Sequence, residues 1–360
     1  MILLSTLITA FGEEVREKYA GHFLPGHQRA LNALKICRTE KSPTFLVQCR
    51  GCSTQETFPH SCGHRSCPHC QHNEGQRWLE RQRKKLLPVN YSMVTFTLPA
   101  QLRSLAWQHQ RIVYDQLIKL GWQTLQTFGL NDSKLRGKIG AHAVLHSNTR
   151  SLEYHPHVHF IVPAGALGQQ HRQKNRLWRK KRGKYLFRQK DLAAVFRAKW
   201  FQAMKEQRLK VKATLPKDWI VDCTYVGRGD KALTYLGKYL YRGVLQEKDI
   251  LSCENGQVTF RYTENTGKVK TRTLPGADFL WLLLQHVLPK GFRRTRDYGF
   301  LHSNCKKLIL LLRYLFRQSM RQLQIKGKKP PILCQACGGV MAIIATRIMP
   351  ISKTQPVEGQ

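Results

Sequence analysis

The stretch Tyr154–Val162 reads Tyr-His-Pro-His-Val-His-Phe-Ile-Val. His155, His157 and His159 alternate, so on a strand they project from one face, while Val158, Phe160 and Val162 take the other and enter a core. Two imidazoles at i and i+2 can grip one divalent ion, and a three-histidine site leaves positions open for a phosphate oxygen. His146 ends the preceding apolar run Gly140–His146 and can face His157 and His159 across an antiparallel pair. His155, just ahead of Pro156 at the strand entrance, is the competing third ligand. Further on, Thr234–Arg242 (TYLGKYLYR) holds Tyr235 and Tyr239 four residues apart, on one face of a helix. A phenol is a competent nucleophile for phosphoryl transfer, and the phosphotyrosine it forms conserves the bond energy for rejoining. With an ordinary pKa of about 10, it needs a metal-polarised phosphate or a base to assist. Packed histidines and core tyrosines are the competing uses of the same spacings.

Residues 37–72 carry six cysteines and four histidines with little apolar periodicity. Such a segment builds no core unaided, and a metal is the natural supplement. Cys49-x-x-Cys52 and Cys67-x-x-Cys70 are two half-sites whose spacing predicts one four-cysteine zinc site, with Cys62, His64 and Cys37 as candidates for a further zinc. Four protein ligands leave no open position, so that zinc is structural. The nearby Arg65 and Arg83 suit phosphate contact. Cys334-x-x-Cys337 is another half-site, with no clear second half in the sequence.

These residues sit in a chain of 360 with 60 Lys and Arg against 22 Asp and Glu, a net charge of +38. That excess calls for a polyanionic partner, and at 42% hydrophobic the chain is not a disordered basic tail. No apolar run approaches the roughly 20 residues of a membrane span. Residues 171–190 hold ten Lys or Arg, no acid, and three interleaved aromatics. That mixture predicts contact with single-stranded nucleic acid, with Arg179, Lys180, Lys181 and Arg182 on phosphates and Trp178 stacking on bases. Lys290, Arg293 and Arg294 form a second basic patch.

The positioning elements read as strand 92–98, helix 102–130, strands 140–146 and 157–162, helix 192–209, strand 219–226 and helix 231–241. This order suits an α+β sandwich with a largely antiparallel sheet. A hairpin (258–263, 267–274) and helices 277–287 and 302–324 follow. Four divisions result: a helical and zinc-binding region 1–87, a catalytic region 88–245, a basic accessory region 246–330 and a tail 331–360.

The His157-Val158-His159 strand followed by the two-tyrosine helix resembles the HUH endonucleases. More closely, the chain resembles the two-tyrosine rolling-circle transposases of the insertion sequence 91 family. The resembling segments are SCGHRSCPHCQ (61–71), LLPVNYSMVTFTLP (86–99), AVLHS with YHPHVHFIVPAG (143–165), YLGKYLYR (235–242), HVLPKGFRRTRDYG (286–299) and CQACGG (334–339). The resemblance implies an HUH endonuclease-like fold, a ferredoxin-like or RRM-like antiparallel sheet with flanking helices, preceded by a small zinc-binding domain. It also implies Mg²⁺ or Mn²⁺ held by His157 and His159, and Tyr235 and Tyr239 as nucleophiles. The implied partners are single-stranded DNA at element ends and target DNA, in a bacterial cytoplasm and with no membrane. A plasmid or phage replication initiator or relaxase would use the same chemistry. A non-catalytic zinc-finger DNA-binding protein is the alternative of another class.

Overall fold

The most apolar alternating segments lie between residues 91 and 163, and they form the middle of the protein. The computed structural model describes residues 2–168, 178–211, 214–241, 244–264, 266–317 and 331–349, without the side chains of 72, 73 and 238–241. Along the chain come α1 (Leu4–Lys18), α2 (Pro25–Ile36), β1 (Thr44–Cys49), β2 (Gln55–Pro59), α3 (His72–Arg83), β3 (Tyr91–Thr97), α4 (Arg103–Gln108) and α5 (Gln110–Asn131). Next are β4 (Gly137–Lys138), β5 (Gly140–Asn148), β6 (Tyr154–Pro163), β7 (Gly165–Gly168), β8 (Trp178–Lys180), α6 (Gln189–Glu206), β9 (Val221–Tyr225) and α7 (Asp230–Tyr241). The chain continues through β10 (Ile250–Glu254), β11 (Gln257–Thr263), β12 (Val269–Pro275), α8 (Gly276–Leu284), β13 (Thr295–Gly299), α9 (Lys306–Leu315) and β14 (Met341–Ile348).

The central sheet has the order β13-β5-β6-β3-β9 and is antiparallel throughout. This is the α+β class expected from the element order. Alternation gives the sheet two different faces. Val94, Phe96, Ala143, Leu145, Val158, Phe160 and Val162 point toward α5 and α6, where they meet Val113, Leu117, Phe196 and Trp200. Gly121 lets α5 come this close, because a Cβ there would lie 2.7 Å from the Phe160 ring. The opposite face carries Tyr91, Val144 and Ile161 against Leu233 and Leu236 of α7 and Trp78 and Leu79 of α3.

Two expectations change. The single helix over 102–130 is broken at His109 (φ −124°, ψ 44°). The break turns Trp107 out to meet His27, Tyr154 and Trp281. The basic segment before Gly299 contains a strand, since Thr295–Gly299 pairs with β5 from Val144 to Gly140. Its polar sequence suits an edge position, where Asp297 accepts from His142 Nδ1 (2.7 Å) and pairs with Lys85. Packing also crosses the divisions drawn from the sequence. Leu4, Leu7, Ile8 and Leu31 of the first two helices share a core with Ile250, Val258, Phe260, Phe279 and Leu280. Strand β14 of the tail pairs with β1, in the sheet order β14-β1-β2.

Two buried histidines make this packing sensitive to acid. His27 accepts the Leu24 N–H at Nδ1 (3.1 Å) among the rings of Phe23, Trp107 and Trp281, and burial lowers its pKa to about 4. His286, next to Ser147 Oγ (3.2 Å) and donating from Nε2 to the Leu152 carbonyl (2.9 Å), is lowered by burial to about 4. The folded chain therefore binds fewer protons at these sites than the unfolded chain. Their stabilising effect is full above the ordinary histidine pKa of about 6.5 and is lost as pH falls from there toward 4, on the order of 3 kcal/mol for each. The urea midpoint is expected to hold between pH 7 and 8 and to drop between pH 6.5 and 4. His27→Gln, which keeps an acceptor but does not titrate, is expected to make that drop shallower.

Candidate active site

Strand register assembles the histidines. His146 lies opposite His157 across β5 and β6, while Thr95 and Thr97 of β3 lie opposite His159 and His157. One ring nitrogen from each of His146, His157 and His159 falls within 4.8 Å of the others. The His157 ring donates from Nδ1 to the His155 carbonyl (2.7 Å), which leaves Nε2 as the lone-pair donor. Thr95 Oγ1 lies 2.8 Å from His159 Nδ1 and orients that ring. Burial lowers the His157 pKa to about 4 and that of His159 to about 3, with neighbouring imidazoles adding to the effect. His146 is held well below the ordinary value by burial, by its two histidine neighbours and by the positive charge of Arg294. All three are thus neutral at neutral pH, the state a metal ligand requires. Three neutral imidazoles on one face fit a divalent ion, and Mn²⁺ accepts nitrogen more readily than Mg²⁺. His155 also lines the cleft described below but stands outside this donor set, with Nδ1 3.0 Å from the Arg103 guanidinium.

The histidines line one wall of a cleft of about 600 Å³, and Tyr235 lines it too. Helix α7 brings Tyr235 there, seated by α3 of the cysteine-rich region. The Trp78 ring packs where a Cβ on Gly237 would approach it to 3.4 Å. Arg83 donates to Asp230 (2.8 Å) and to Thr234 Oγ1 (3.2 Å). Arg83 is therefore a support for the tyrosine helix and not a lone phosphate contact. Tyr239 lies one turn further along α7, and its side chain lies outside the described residues. The far wall comes from the β11–β12 hairpin through Tyr262, Glu264 and Thr266. Arg150 holds this hairpin by donating to the carbonyls of Thr263 (3.2 Å) and Glu264 (2.8 Å). Sequence reading missed Thr95, Arg150, Tyr262 and Glu264. Only Thr95 carried a signal, as a polar residue inside an apolar strand.

The cysteines regroup. Cys67 and Cys70 join Cys37 and Cys62, whereas Cys49 and Cys52 join Cys334 and Cys337. The single site predicted from Cys49, Cys52, Cys67 and Cys70 is thus divided between two clusters. The cause is the β1–β2 hairpin. Cys49 and Cys52 sit at its tip, while Cys37 precedes β1 and Cys62 follows β2, so the two groups stand a strand length of about 20 Å apart. His64 belongs to neither cluster, and its Nδ1 accepts the Ser66 N–H (3.3 Å). All eleven cysteines are free thiols. Sulfur separations are 3.5 and 3.6 Å in the first cluster and 3.4 and 3.6 Å in the second. A disulfide would need about 2.0 Å, whereas thiolates around one tetrahedral zinc lie about 3.8 Å apart. Both donor sets fit structural zinc.

The basic residues also sort themselves. Trp178 packs against Phe300 and Phe316 and lies over Gly165, so its ring is used in the fold and not offered to bases. Lys181 is consumed by Asp132 (2.5 Å) and the Leu186 carbonyl (2.5 Å). Arg65 donates to the carbonyls of Leu288, Pro289 and Phe292 (3.3, 2.5 and 2.8 Å) and so clamps the LPKGF turn. Lys180, Arg182, Lys290 and Arg293 are exposed, Arg179 is half-buried, and Arg294 Nε donates to the Leu145 carbonyl beside the cleft (3.0 Å). Residues 169–177 of the predicted basic stretch lie outside the described residues. No helix among the described residues is long and apolar enough to cross a membrane.

Residues 140–308 match the family described as "Putative transposase", and residues 7–98 match the "Transposase zinc-binding domain". The chain is 29% identical over 324 residues to "Putative transposase y4qJ" of Sinorhizobium fredii, covering 84% of this chain and 81% of that protein. It is 28% identical over 268 residues to "Transposase for insertion sequence element IS801" of Pseudomonas savastanoi pv. phaseolicola, covering 67% of this chain and 64% of that protein. No solved structure matches the chain.

Proposed function

Starting from a chain that belongs to the transposases of the insertion sequence 91 family, we propose that it nicks and rejoins single-stranded DNA at element ends by tyrosine attack, as in rolling-circle transposition. The observation that carries this reading is the cleft shared by Tyr235 and the three histidines. The Tyr235 oxygen attacks a backbone phosphorus, and the bond from phosphorus to the 3′ oxygen breaks. The phenol gives up its proton, the departing oxygen gains one to become a 3′-hydroxyl, and the 5′ end remains as a phosphotyrosine. Attack by a 3′-hydroxyl on that ester reverses the step and restores both the phosphodiester and the phenol. Bound by His146, His157 and His159, Mg²⁺ or Mn²⁺ supplies Lewis-acid polarisation of a phosphate oxygen. Tyr239, on the same helix, serves a second transfer while the first ester persists. Arg294 contributes positive charge beside the cleft, and the exposed Arg182, Lys290 and Arg293, with Arg179 and Lys180, serve phosphate contacts along the strand. The setting in this reading is a bacterial cytoplasm, on nucleoid DNA.

Covalent capture tests the proposal. Labelled single-stranded oligonucleotides carrying the element ends are mixed with protein in Mn²⁺ or in chelator and resolved under denaturing conditions. A metal-dependent protein–DNA band is expected for the parent and is expected to vanish in Tyr235→Phe/Tyr239→Phe. Tight DNA binding without any such band would replace the proposal with a non-catalytic zinc-dependent DNA-binding role.

A further inference from the structure

We infer that Cys49, Cys52, Cys334 and Cys337 form a second structural zinc site, which ties the C-terminal segment 331–349 to the β1–β2 hairpin. The two Cys-x-x-Cys turns are built alike. The Cys49 N–H donates to the Thr54 carbonyl (2.8 Å), and the Cys334 N–H donates to the Gly339 carbonyl (2.9 Å), closing each loop. Backbone N–H groups then turn onto sulfur, from Gly51 to Cys49 Sγ (3.3 Å) and from Gly339 to Cys337 Sγ (3.4 Å). Such N–H donors stabilise thiolates, the form that binds metal. The sulfurs pair across the two turns, Cys49 with Cys337 and Cys52 with Cys334. A Cβ on Gly339 would sit 3.1 Å from Cys49 Sγ and 3.2 Å from Cys337 Sγ, so glycine lets the loop close over the sulfurs.

The segment joined here needs such a fastening. Strand β14 pairs with β1 from Thr44 to Cys49, yet Met341 is the only β14 residue that is fully buried. Ile343 and Ile344 are 58% and 49% exposed, and among the described residues the cluster beneath has only Val47, Cys49, Cys334 and Met341 buried, with Phe45, Phe58 and Ile332 half-buried against it. So little apolar burial does not hold a terminal strand in register by itself. A sulfur-only tetrahedral set suits zinc and leaves no position for substrate, so the site acts as a chain closure. The second half-site lies beyond both stretches that match the transposase families, 7–98 and 140–308. The inference is independent of the strand-transfer reading.

Zinc is counted in the full chain carrying His157→Ala, so that the histidine cleft adds no tight site. Two ions per chain are expected, with sulfur as the ligand of both by X-ray absorption. Adding Cys334→Ser/Cys337→Ser is expected to leave one ion and to make the amides of 341–348 exchange freely while those of 91–97 stay protected. Two ions in the cysteine variant would overturn the inference. A second measurement needs no cysteine variant. Iodoacetamide under native conditions is expected to spare Cys334 and Cys337 until a chelator is added. One zinc per chain with both thiols alkylated before chelation would overturn the inference as well.

Discussion

His157→Ala is expected to lower metal-dependent nicking by about 10³-fold, the equivalent of about 4 kcal/mol of transition-state stabilisation. DNA affinity and sulfur-bound zinc are expected to stay at parent levels. The expectation rests on geometry. His157 has its Nδ1 proton on the His155 carbonyl, so its Nε2 is pre-set as a donor, and a methyl group offers nothing in its place. His159→Ala and His146→Ala are expected to match it, because the three rings form one donor set. Thr95→Val removes only the group that orients His159, and loses of supporting partners of this kind typically cost about 10- to 100-fold. His155→Ala is the control. Its ring is engaged with Arg103, and a loss within about tenfold is expected. Single-turnover nicking across a Mn²⁺ titration is the measurement. A loss in His155→Ala as deep as in His146→Ala would mean that the third donor has been assigned to the wrong ring.

The second large effect lies away from the cleft. Cys67→Ser/Cys70→Ser is expected to remove one zinc, release α3 and cut covalent adduct formation by tenfold or more. Structural zinc sites contribute on the order of 10 kcal/mol to the folds they close, so the loss of two ligands disassembles the region around them. Helix α3 begins at His72, just past Cys70 and Gln71, and its Trp78 and Arg83 hold α7 in place. Freed of that support, α7 no longer presents Tyr235 at one position beside the histidines, and misplacement by about 1 Å is enough for a loss near 10²-fold. The measurement pairs adduct yield with hydrogen exchange over 72–83 and 230–237. Faster exchange in both helices is expected for the cysteine variant and in neither for His157→Ala. Unchanged protection of α7 would show that the zinc-binding region acts on DNA alone and not on the tyrosine helix.

Local pattern carried much of the fold. Period-two alternation in 92–98 and 157–162, and the spacing of apolar residues in 192–209 and 231–241, specify elements that the structure contains within a few residues. Strand β13 was hidden because an edge strand with a half-buried face needs no apolar alternation, and Thr-Arg-Asp-Tyr-Gly reads as a basic loop. The break at His109 was hidden because the rings that Trp107 meets beside it, His27 and Trp281, are far away in sequence. Trp178 and Lys181 read as nucleic-acid contacts because composition registers type but not partner, and their partners are Phe300, Phe316 and Asp132.

By itself, the sequence determined which residue types were on offer, imidazoles, thiols and phenols, together with the strongly basic charge and the one-face alternation of His157 with His159. Each follows from side-chain chemistry or from backbone period, and both are local. Only the tertiary structure decided which residues meet. Strand register brought His146 into one donor set with the other two histidines, a set that His155 does not join. The β1–β2 hairpin sent Cys49 and Cys52 away from Cys67 and Cys70 and toward a half-site near the end of the chain. The α3–α7 packing made a zinc-binding region the seat of the tyrosine helix. Pairings of this kind depend on loop closure and strand order over tens to hundreds of residues, and spacing along the chain carries no information about them.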